Sequence, residues 1–275
     1  MAKTAKKKKS TRKGKKRESK QRVANRRRLL KLFALLVITS GLYLLYCFFT
    51  LPDIEQAVSR TRQPSTTITA ENGNEVATYG QVYSAVVMPD YLPKYTTEAI
   101  IATEDRRFYQ HFGFDIIAFT RAMAVNLIKG RYAQGGSTIT QQVAKNLFLT
   151  PNKNIKRKIQ ELLLAFWLEH KFSKDQILEM YFNTTYFGNG ATGITAAARS
   201  YFGKTPAEMN LAECAVIASL PYAPSALNPY ENPEGCKKRQ HLVLDTMVKR
   251  GFIGETVANA AKEKTIYMAC LLYTS

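Results

Sequence analysis

The amino-acid sequence predicts a mainly α-helical domain preceded by one transmembrane helix. Residues 32–51 contain no charged side chain. Apolar residues then recur at helical spacing in six later segments, which are 99–108, 116–128, 139–149, 155–167, 177–182 and 211–220. Joints rich in Gly, Asn and Pro separate these segments, and strands do not alternate with them. The lack of alternation argues against a Rossmann or barrel enzyme.

The composition indicates a folded chain with unpaired cysteines. The 275 residues are 45% apolar and 11% aromatic, which excludes a wholly disordered, collagenous or coiled-coil protein. Cys47, Cys214, Cys236 and Cys270 have no CxxC spacing and no pair of histidines to accompany them. This pattern predicts neither a zinc site nor a disulfide framework, and four free thiols are the simplest interpretation.

Residues 1–31 form a strongly basic N-terminal tail. They carry sixteen Lys or Arg residues and one acid, so they contribute +15 to the formal net charge of +19. With so few apolar side chains, the tail is expected to be disordered in isolation. A basic arm can bind nucleic acid, but the uncharged segment after it favours a lipid-facing role. We therefore expect no nucleic-acid partner.

Residues 32–51 have the length of a transmembrane helix. At about 1.5 Å per residue, such a helix crosses the roughly 30 Å hydrocarbon core of a bilayer. The positive flank before it, with Asp53 and Glu55 after it, places the tail in the cytoplasm and residues 52–275 outside. A removable signal peptide is the alternative, but the apolar run is too long and no A-x-A-like site follows. The prediction is a single-pass signal-anchor in the cytoplasmic membrane.

The rest of the chain divides into three further segments. Residues 66–88 are rich in Thr, Val and Tyr and contain Asn72-Gly73, a hairpin signal, so residues 52–95 are assigned to a linker and a small β element. Residues 96–262 form the helical domain, and residues 263–275 are treated separately below. The apolar runs 79–88 and 182–187 are expected to add adhesion to a membrane surface.

The first chemically informative segment reads EDRRFYQHFGFD from Glu104 to Asp115. Glu104 and Asp105 end an apolar run, and a carboxylate at the edge of an apolar surface is a plausible general base because desolvation raises its pKa. A solvated Glu-Asp pair with Arg107 as its partner is the alternative, and for an isolated pair it is the more common arrangement.

The second informative segment begins at a flexible Gly135-Gly136. Thr138 and Gln141 have capping-box spacing, so a helix is predicted to begin there. Gln141 and Lys145 lie four residues apart and share one helix face, which suits hydroxyls and a phosphate better than a core. An ordinary capped amphipathic helix explains the threonine but not the Gln141-Gln142 pair.

The third informative segment is a cluster of cations at a predicted helix start. It contains Lys153, Lys156, Arg157 and Lys158, with Glu161 four residues after Arg157. Cations at this end oppose the helix dipole, so the cluster costs stability unless an anion meets it. A bound polyanion and an exposed charged turn with an i,i+4 pair are both open interpretations. The three histidines suggest no metal set, and no GxSxG or Walker motif is present.

Together these segments resemble the glycosyltransferase domain of bacterial peptidoglycan polymerases, which class A penicillin-binding proteins share with monofunctional transglycosylases. The resemblance covers about residues 66–254, with the family's motifs in order. They are Glu104-Asp105 through Phe108, His111, Gly113 and Asp115; Gly136-Ser137-Thr138 through Gln142, Lys145 and Asn146; Arg157-Lys158 with Glu161; Glu179 through Tyr181, Asn183 and Lys204; and Glu213 through Pro229 and Arg239.

The resemblance implies a lysozyme-like, mostly helical fold with a small β-containing, membrane-facing lobe. It also implies a processive, inverting reaction in which an acceptor sugar 4-hydroxyl attacks a glycan chain carried on a lipid diphosphate. By that analogy Glu104 is the base, Glu161 is the second carboxylate, and Lys145, Lys153, Arg157 and Lys158 bind the diphosphate. Ser137, Gln141 and Asn146 would line the sugar cleft. The implied partners are lipid II, the growing glycan chain, the membrane and other cell-wall synthesis proteins. No cofactor is obligatory and no metal ligand is assigned, although Mg²⁺ or Mn²⁺ is an optional divalent cation.

Residues 263–275 depart from the pattern, since KTIYMACLLYTS replaces the acidic helical linker usual in the family. We expect a truncation or a non-native tail there, so the parent is either monofunctional or a bifunctional class A protein. Two rival functions also stay open. One is a hydrolase on the same scaffold, which needs carboxyl groups but no diphosphate site. The other is a membrane-tethered scaffold without catalysis, which leaves Glu104 unexplained.

Overall fold

A computed structural model describes the protein over residues 2–52, 66–69, 75–79, 87–131, 135–150, 152 and 154–269. The chain separates into two compact units at Leu51 and Pro52, and each is described by itself. Cys214 and Cys236 are free and buried, as predicted, and Cys47 is buried as well, whereas Cys270 lies outside the described residues.

The N-terminal unit is one long helix, α1 (Ala2–Phe49). Its part from Arg26 to Phe49 is long and apolar enough to cross a membrane, judged by length and composition. The basic tail, expected to be disordered in isolation, is part of this helix in the structure. Ala, Lys, Arg and Gln are good helix formers, and extending an existing helix avoids the cost of nucleation.

The second unit begins with the predicted β-hairpin. Strand β1 (Thr66–Thr69) pairs antiparallel with β2 (Glu75–Tyr79), with Thr66 opposite Tyr79. The predicted turn at Asn72-Gly73 and most of residues 79–88 lie outside the described residues. The hairpin itself is confirmed.

Nine helices of at least nine residues follow within the described part of this unit, which confirms the mainly α-helical fold class. They are α2 (Lys94–Glu104), α3 (Ile116–Lys129), α4 (Ile139–Phe148), α5 (Ile155–Lys171), α6 (Lys174–Thr184), α7 (Ile194–Phe202), α8 (Leu211–Ser219), α9 (Pro233–Lys249) and α10 (Glu255–Glu263). The six predicted segments correspond to α2 to α6 and α8. Sequence periodicity did not identify α7, α9 and α10.

Helix α8 is the centre of the core. Every residue from Ala212 to Ser219 is buried, and the helix packs against α2 and α9. Gln240 on α9 donates a 3.0 Å hydrogen bond to the Ala212 carbonyl. Because buried amides need partners, this bond fixes α9 against the core helix. Helices α2 and α9 are therefore held firmly against α8, together with the charged residues that they carry.

Helix α2 ends earlier than the periodicity predicts. The apolar pattern runs to Phe108, but the helix stops at Glu104 because Asp105 has φ −152° and ψ 76°. Phe108 begins a separate 3-10 turn, Phe108–Gln110. The carboxyl group of Asp105 leaves the helix to accept hydrogen bonds elsewhere, as described below. This early end places Glu104, which is partly buried, as the last residue of the helix.

Gly113 allows the chain after α2 to pass close to α5. Its φ is +77°, and a Cβ built there would lie 3.1 Å from both the carbonyl carbon and the carbonyl oxygen of Ala165. Only glycine adopts such a conformation at low cost, and here there is also no room for a methyl group. Gly130 has a similar φ of +59°, but nothing lies within 4 Å of its Cβ position.

We expect Gly113→Ala to destabilise the protein by about 1–3 kcal/mol, because it combines left-handed backbone strain with a clash against α5. Gly130→Ala is the matched control, since it adds the strain without the clash. The measurement is the free energy of unfolding by chemical denaturation for both variants. Equal destabilisation of the two would show that the approach to Ala165 is unimportant.

Candidate active site

A cleft of about 650 Å³ opens where the end of α2, the start of α4, the 3-10 turn Leu220–Tyr222 and helix α9 meet. Its wall is mostly polar and charged. The polar and charged residues that line it are Thr103, Glu104, Asp105, Arg106, Asp115, Arg121, Ser137, Thr138, Gln142, Lys145, Tyr222, Arg239, Thr246 and Arg250. Cations outnumber acids in this set, so the cleft suits an anionic ligand.

Glu104 lies in this cleft with one defined hydrogen-bond partner. The Gln142 Nε2 atom donates to Glu104 Oε2 at 2.8 Å. Burial raises the pKa of Glu104, and the bond from Gln142 with the charges of Arg239 and Lys145 partly opposes that rise. A carboxyl group whose pKa is raised toward neutrality is suited to accept a proton from a substrate hydroxyl.

Asp105 connects the end of α2 to the start of α4. Its carboxylate accepts a 3.0 Å hydrogen bond from the Ile139 backbone N–H and contacts His111 Nε2 at 2.9 Å. Ile139 and Gln142 lie three residues apart on α4, so the last residue of α2 and the residue after it both bind the first turn of α4. These two tethers together fix the position of the Glu104 carboxylate.

Arg107 pairs with Asp115 and not with the Glu-Asp pair. Its guanidinium binds the Asp115 carboxylate through Nε, at 2.8 Å, and through a second nitrogen. Desolvation opposes ionisation of Asp115, but the hydrogen bonds from Arg107 and the Ala118 N–H outweigh it and lower the pKa. The alternative of a solvated pair with Arg107 is therefore not what the structure shows.

A cluster of cations around one carboxylate lies beside the cleft. Lys158 Nζ is 2.7 Å from both Ser137 Oγ and Glu161 Oε2, and Arg157 Nε is 3.1 Å from Glu161 Oε1. Glu161 is buried, whereas half of the Lys158 side chain is exposed. The structure thus brings together Ser137, Arg157, Lys158 and Glu161 from two segments that are distant in sequence.

Lys145 belongs to the same electrostatic cluster and also lines the cleft. Burial lowers the pKa of Lys145; the charge of Glu161 raises it, and those of Arg157 and Lys158 lower it further. The charge of Lys145 also acts on Glu104. It therefore connects the carboxyl group to the cation cluster. Lys153, the remaining predicted cation, lies outside the described residues.

The two adjacent glutamines have different environments. Gln141 is buried, and its Oε1 accepts a 3.1 Å hydrogen bond from the Thr138 N–H, which completes the predicted capping box. Gln141 is not among the lining residues of the cleft, whereas Gln142 is. Asn146 is exposed one residue after Lys145. The capping function explains why Gln141 turns into the protein.

Sequence reasoning did not identify several residues of the cleft wall as site residues. They are Arg106, Arg121, Gln142, Tyr222, Arg239 and Arg250. Arg121 and Arg239 each have a buried Nε atom without a hydrogen-bond partner among the described residues. An arginine within an apolar helical stretch, as at Arg121 in α3, is the signal that could have indicated a functional position.

The described residues do not favour a divalent metal site at Glu161. No group of three or more His, Cys, Asp or Glu side chains in the described part of the chain could hold a metal ion. Both oxygens of Glu161 also face the cations Arg157 and Lys158, which would repel a second positive ion. We derive no chemical step through Mg²⁺ or Mn²⁺.

Comparison with known proteins identifies the helical unit. The family model described as Transglycosylase matches residues 72–248. Penicillin-binding protein 1A of Aquifex aeolicus (strain VF5) is 44% identical over 211 residues, which are 77% of this chain and 29% of that protein. Penicillin-binding protein 1A/1B of Bacillus subtilis (strain 168) is 41% identical over 239 residues, 86% of this chain and 26% of that protein. The chain therefore spans less than a third of the length of these relatives.

Among solved structures, penicillin-binding protein 1A from Haemophilus influenzae is similar, with 23% sequence identity and a TM-score of 0.46. The match covers 75% of this chain and 21% of that one.

Proposed function

The chain belongs to the transglycosylase family, and from this premise we propose that it polymerises lipid II into the glycan strands of bacterial peptidoglycan. The matched residues 72–248 include every predicted site residue from Glu104 to Glu161. One observation carries the proposal. A carboxyl group with a raised pKa lines one cleft together with Lys145, and the rest of the cation cluster lies beside that cleft, as a transfer from a diphosphate-linked donor requires.

In the proposed reaction, Glu104 is the general base. The 4-hydroxyl of the acceptor sugar loses its proton to the Glu104 carboxylate while its oxygen bonds to the anomeric carbon of the donor chain. The bond between that carbon and the lipid diphosphate breaks, and its electron pair leaves with the diphosphate. Attack opposite the leaving group inverts the anomeric configuration. The tethers through Gln142 and Asp105 support this role because they hold the carboxylate in one place.

The cation cluster is proposed to stabilise the leaving diphosphate. Lys145, Arg157 and Lys158 would bind its oxygens, and Lys153 is a fourth candidate from the sequence. Negative charge on the leaving group increases as the bond breaks, so fixed cations stabilise the transition state more than the bound substrate. Glu161 is proposed to organise the cluster, since its contacts hold Arg157 and Lys158 against mutual repulsion.

Ser137, Gln141 and Asn146 are the predicted sugar-binding residues. Ser137 is well placed for this, because its hydroxyl lies in the cleft wall and binds Lys158. Asn146 is exposed beside Lys145 and is available to a ligand. Gln141 would act indirectly, through the cap that fixes the start of α4. Gln142 is the adjacent residue that we add to the proposed site.

The direct test is incubation of the full chain with labelled lipid II, followed by sizing of the products. The proposal predicts long glycan strands. Release of soluble fragments from finished glycan, without polymer, would favour a hydrolase on the same scaffold. No turnover of either substrate would favour a non-catalytic, membrane-tethered scaffold. The cation cluster argues against the hydrolase, because a hydrolase has no diphosphate to bind.

The proposed location is the cytoplasmic membrane, with the N-terminus inside and the helical unit outside. The apolar part of α1 supports the anchor, and the basic residues before it support the orientation. An exposed apolar face on and just before α3 supports a further contact with lipid. It comprises Phe112, Ile116, Ile117, Met123, Leu127 and Ile128. Isolated apolar residues are common on protein surfaces, but a contiguous face of this kind indicates an interaction site.

The phenylalanines of the run at residues 182–187 do not supply the membrane adhesion that the sequence predicted. Phe182 and Phe187 are fully buried, so they belong to the core and cannot adhere to a membrane. Phe182 lies on α6 and Phe187 follows the end of that helix. The sequence pattern of residues 182–187 does not by itself distinguish core positions from surface positions. The adhesion expected from this run is therefore assigned to the face on α3.

We expect deletion of residues 1–51 to leave a folded unit that polymerises lipid II poorly in liposomes. The lipid substrate is confined to the bilayer, and the anchor raises the local concentration of enzyme near it. The α3 face would retain weak binding, so Leu127→Asp combined with Ile128→Asp in the deleted form should remove most of the remainder. Vesicle co-sedimentation and polymerisation rates are the measurements. Equal rates for the parent and the deleted form would contradict the tethering argument.

A further inference from the structure

The cleft wall contains a stacked pair, Tyr222 and Arg239. The Arg239 guanidinium carbon lies 4.1 Å from the centre of the Tyr222 ring. Both residues line the cleft together with Glu104. Tyr222 is 60% exposed, so its ring is not needed to fill the core. A large aromatic side chain kept at the surface and covered by a cation calls for a functional explanation.

Tyr222 is presented by a rigid part of the fold. It ends the 3-10 turn Leu220–Tyr222, which directly follows the buried helix α8. Leu220 is fully buried, and the Ala223 N–H closes the turn by donating to the Leu220 carbonyl at 3.1 Å. Pro221 fixes one more backbone angle in the turn. The backbone of Tyr222 is therefore fixed, so its ring can hold the long side chain of Arg239 in place.

Arg239 has an unused donor at the same place. Its Nε atom is buried and has no hydrogen-bond partner among the described residues. A buried, unpaired N–H is unfavourable, because it loses its bond to water without a replacement. Because Arg239 lines the cleft, a small shift of its side chain on substrate binding would bring this donor to substrate oxygens. A stacked guanidinium is also held in one plane, so less freedom is lost when it binds a ligand.

We propose that Tyr222 is a positioning residue for the polymerisation reaction and that Arg239, held on its ring, binds substrate oxygens at the cleft wall shared with Glu104. This inference rests on the proposed function. Both residues fall within the last sequence motif, where neither was assigned a function, and the inference gives them different tasks. Arg239 touches the substrate, whereas Tyr222 acts only through Arg239.

The position of Arg239 also affects the pKa of Glu104, the proposed general base. The charged or titratable groups that act on Glu104 are Asp105 beside it, Lys145 on α4, Arg239 on α9 and the buried Tyr181 on α6. Arg239 lowers the pKa of Glu104 against the effect of burial. If the guanidinium moves away, that pKa rises. The base must be ionised to act, so the acid limb of the rate profile then moves to higher pH.

The experiment measures lipid II polymerisation by the full chain in detergent as a function of pH. The parent is compared with Tyr222→Leu, Tyr222→Phe, Arg239→Ala and the double variant that combines Tyr222→Leu with Arg239→Ala. Tyr222→Leu should lower kcat roughly tenfold and shift the acid limb upward, because stacking on the ring is lost. Tyr222→Phe keeps the ring and should restore the parent's acid limb. The double variant should be no slower than Arg239→Ala alone. Tyr95→Leu is the matched control, since Tyr95 is an exposed tyrosine that does not line the cleft.

The outcomes separate this inference from the proposed function. A parent that forms no polymer overturns both. A parent that polymerises, with a Tyr222→Leu variant that keeps its rate and acid limb, overturns the positioning function alone. Losses that multiply in the double variant would mean that Tyr222 does not act through Arg239, and would also overturn it. Circular dichroism of each variant establishes that the fold is intact, which the exposure of Tyr222 leads us to expect.

Discussion

Replacing Glu104 with glutamine is expected to abolish lipid II polymerisation while the fold remains intact. The two side chains are nearly isosteric, and Gln142 can reorient its amide to keep a hydrogen bond to the new residue. Only the proton acceptor is lost. Removal of a general base lowers the rate on the order of a hundredfold or more. The measurement is the initial rate of polymer formation, with circular dichroism to verify folding.

The pH profile provides an internal check on this assignment. Because burial raises the pKa of Glu104, the acid limb of the parent's rate should lie above the ordinary titration range of a glutamate. The matched control is Glu98→Gln, since Glu98 is also on α2 but does not line the cleft. A Glu104→Gln variant with a rate within a few-fold of the parent's would rule out Glu104 as the base.

The elements that the sequence predicted well are those with a strong local signal. Helix α4 has both a capping box at Thr138 and Gln141 and a clear apolar stripe, and its start agrees with the prediction. Helix α9 was missed, although Pro233 at its first turn is a common helix start. The charges that follow Pro233 conceal the apolar stripe, and only packing against α8 reveals it.

The end of α2 was mispredicted for a tertiary reason. The apolar pattern continues to Phe108, so periodicity cannot indicate a break at Asp105. The break exists because the Asp105 carboxylate binds the Ile139 N–H, which is far away in sequence. A single sequence contains no information about such a partner. The same limit applies to Arg107, whose partner is Asp115.

The sequence marked some residues of the proposed site and missed others, for a physical reason. Glu104, Lys145, Arg157, Lys158 and Glu161 are charged residues in unusual sequence positions, so the sequence by itself marks them as candidates. Tyr222 and Arg239 fall within the last sequence motif but were assigned no function, because the two side chains come together only where α9 and the turn after α8 meet at the cleft. Gln141 was predicted both to complete the cap and to line the sugar cleft, but the cap turns its side chain into the protein and leaves Gln142 on the cleft wall.

The charge of the leaving group differs between a transferase and a hydrolase. This difference leads to a second large predicted loss of rate. Replacing Lys145 or Arg157 with alanine is expected to lower polymerisation of lipid II on the order of a hundredfold or more for each residue. The cations act on a diphosphate that gains charge as the glycosidic bond breaks, so they lower the barrier more than they strengthen substrate binding. The loss should therefore appear in kcat more than in KM.

Conservative and remote variants make this test specific. Arg157→Lys should recover only part of the rate, because a lysine keeps the charge but cannot bind a phosphate through two parallel N–H groups. Lys171→Ala is the matched control, since Lys171 is an exposed cation at the other end of the same helix, α5. Folding of the alanine variants must be verified, because Arg157 contacts the buried Glu161.

The same variants should be assayed for release of soluble fragments from intact glycan, alongside lipid II polymerisation. A hydrolase on this scaffold would expel an uncharged sugar, and the loss of a cation at the diphosphate site would cost it little. Selective loss of polymerisation in Lys145→Ala and Arg157→Ala is the expected outcome. Glycan cleavage by the parent, undiminished in both variants and without any polymer, would overturn the transferase assignment, because the cation cluster would then have no leaving group to stabilise.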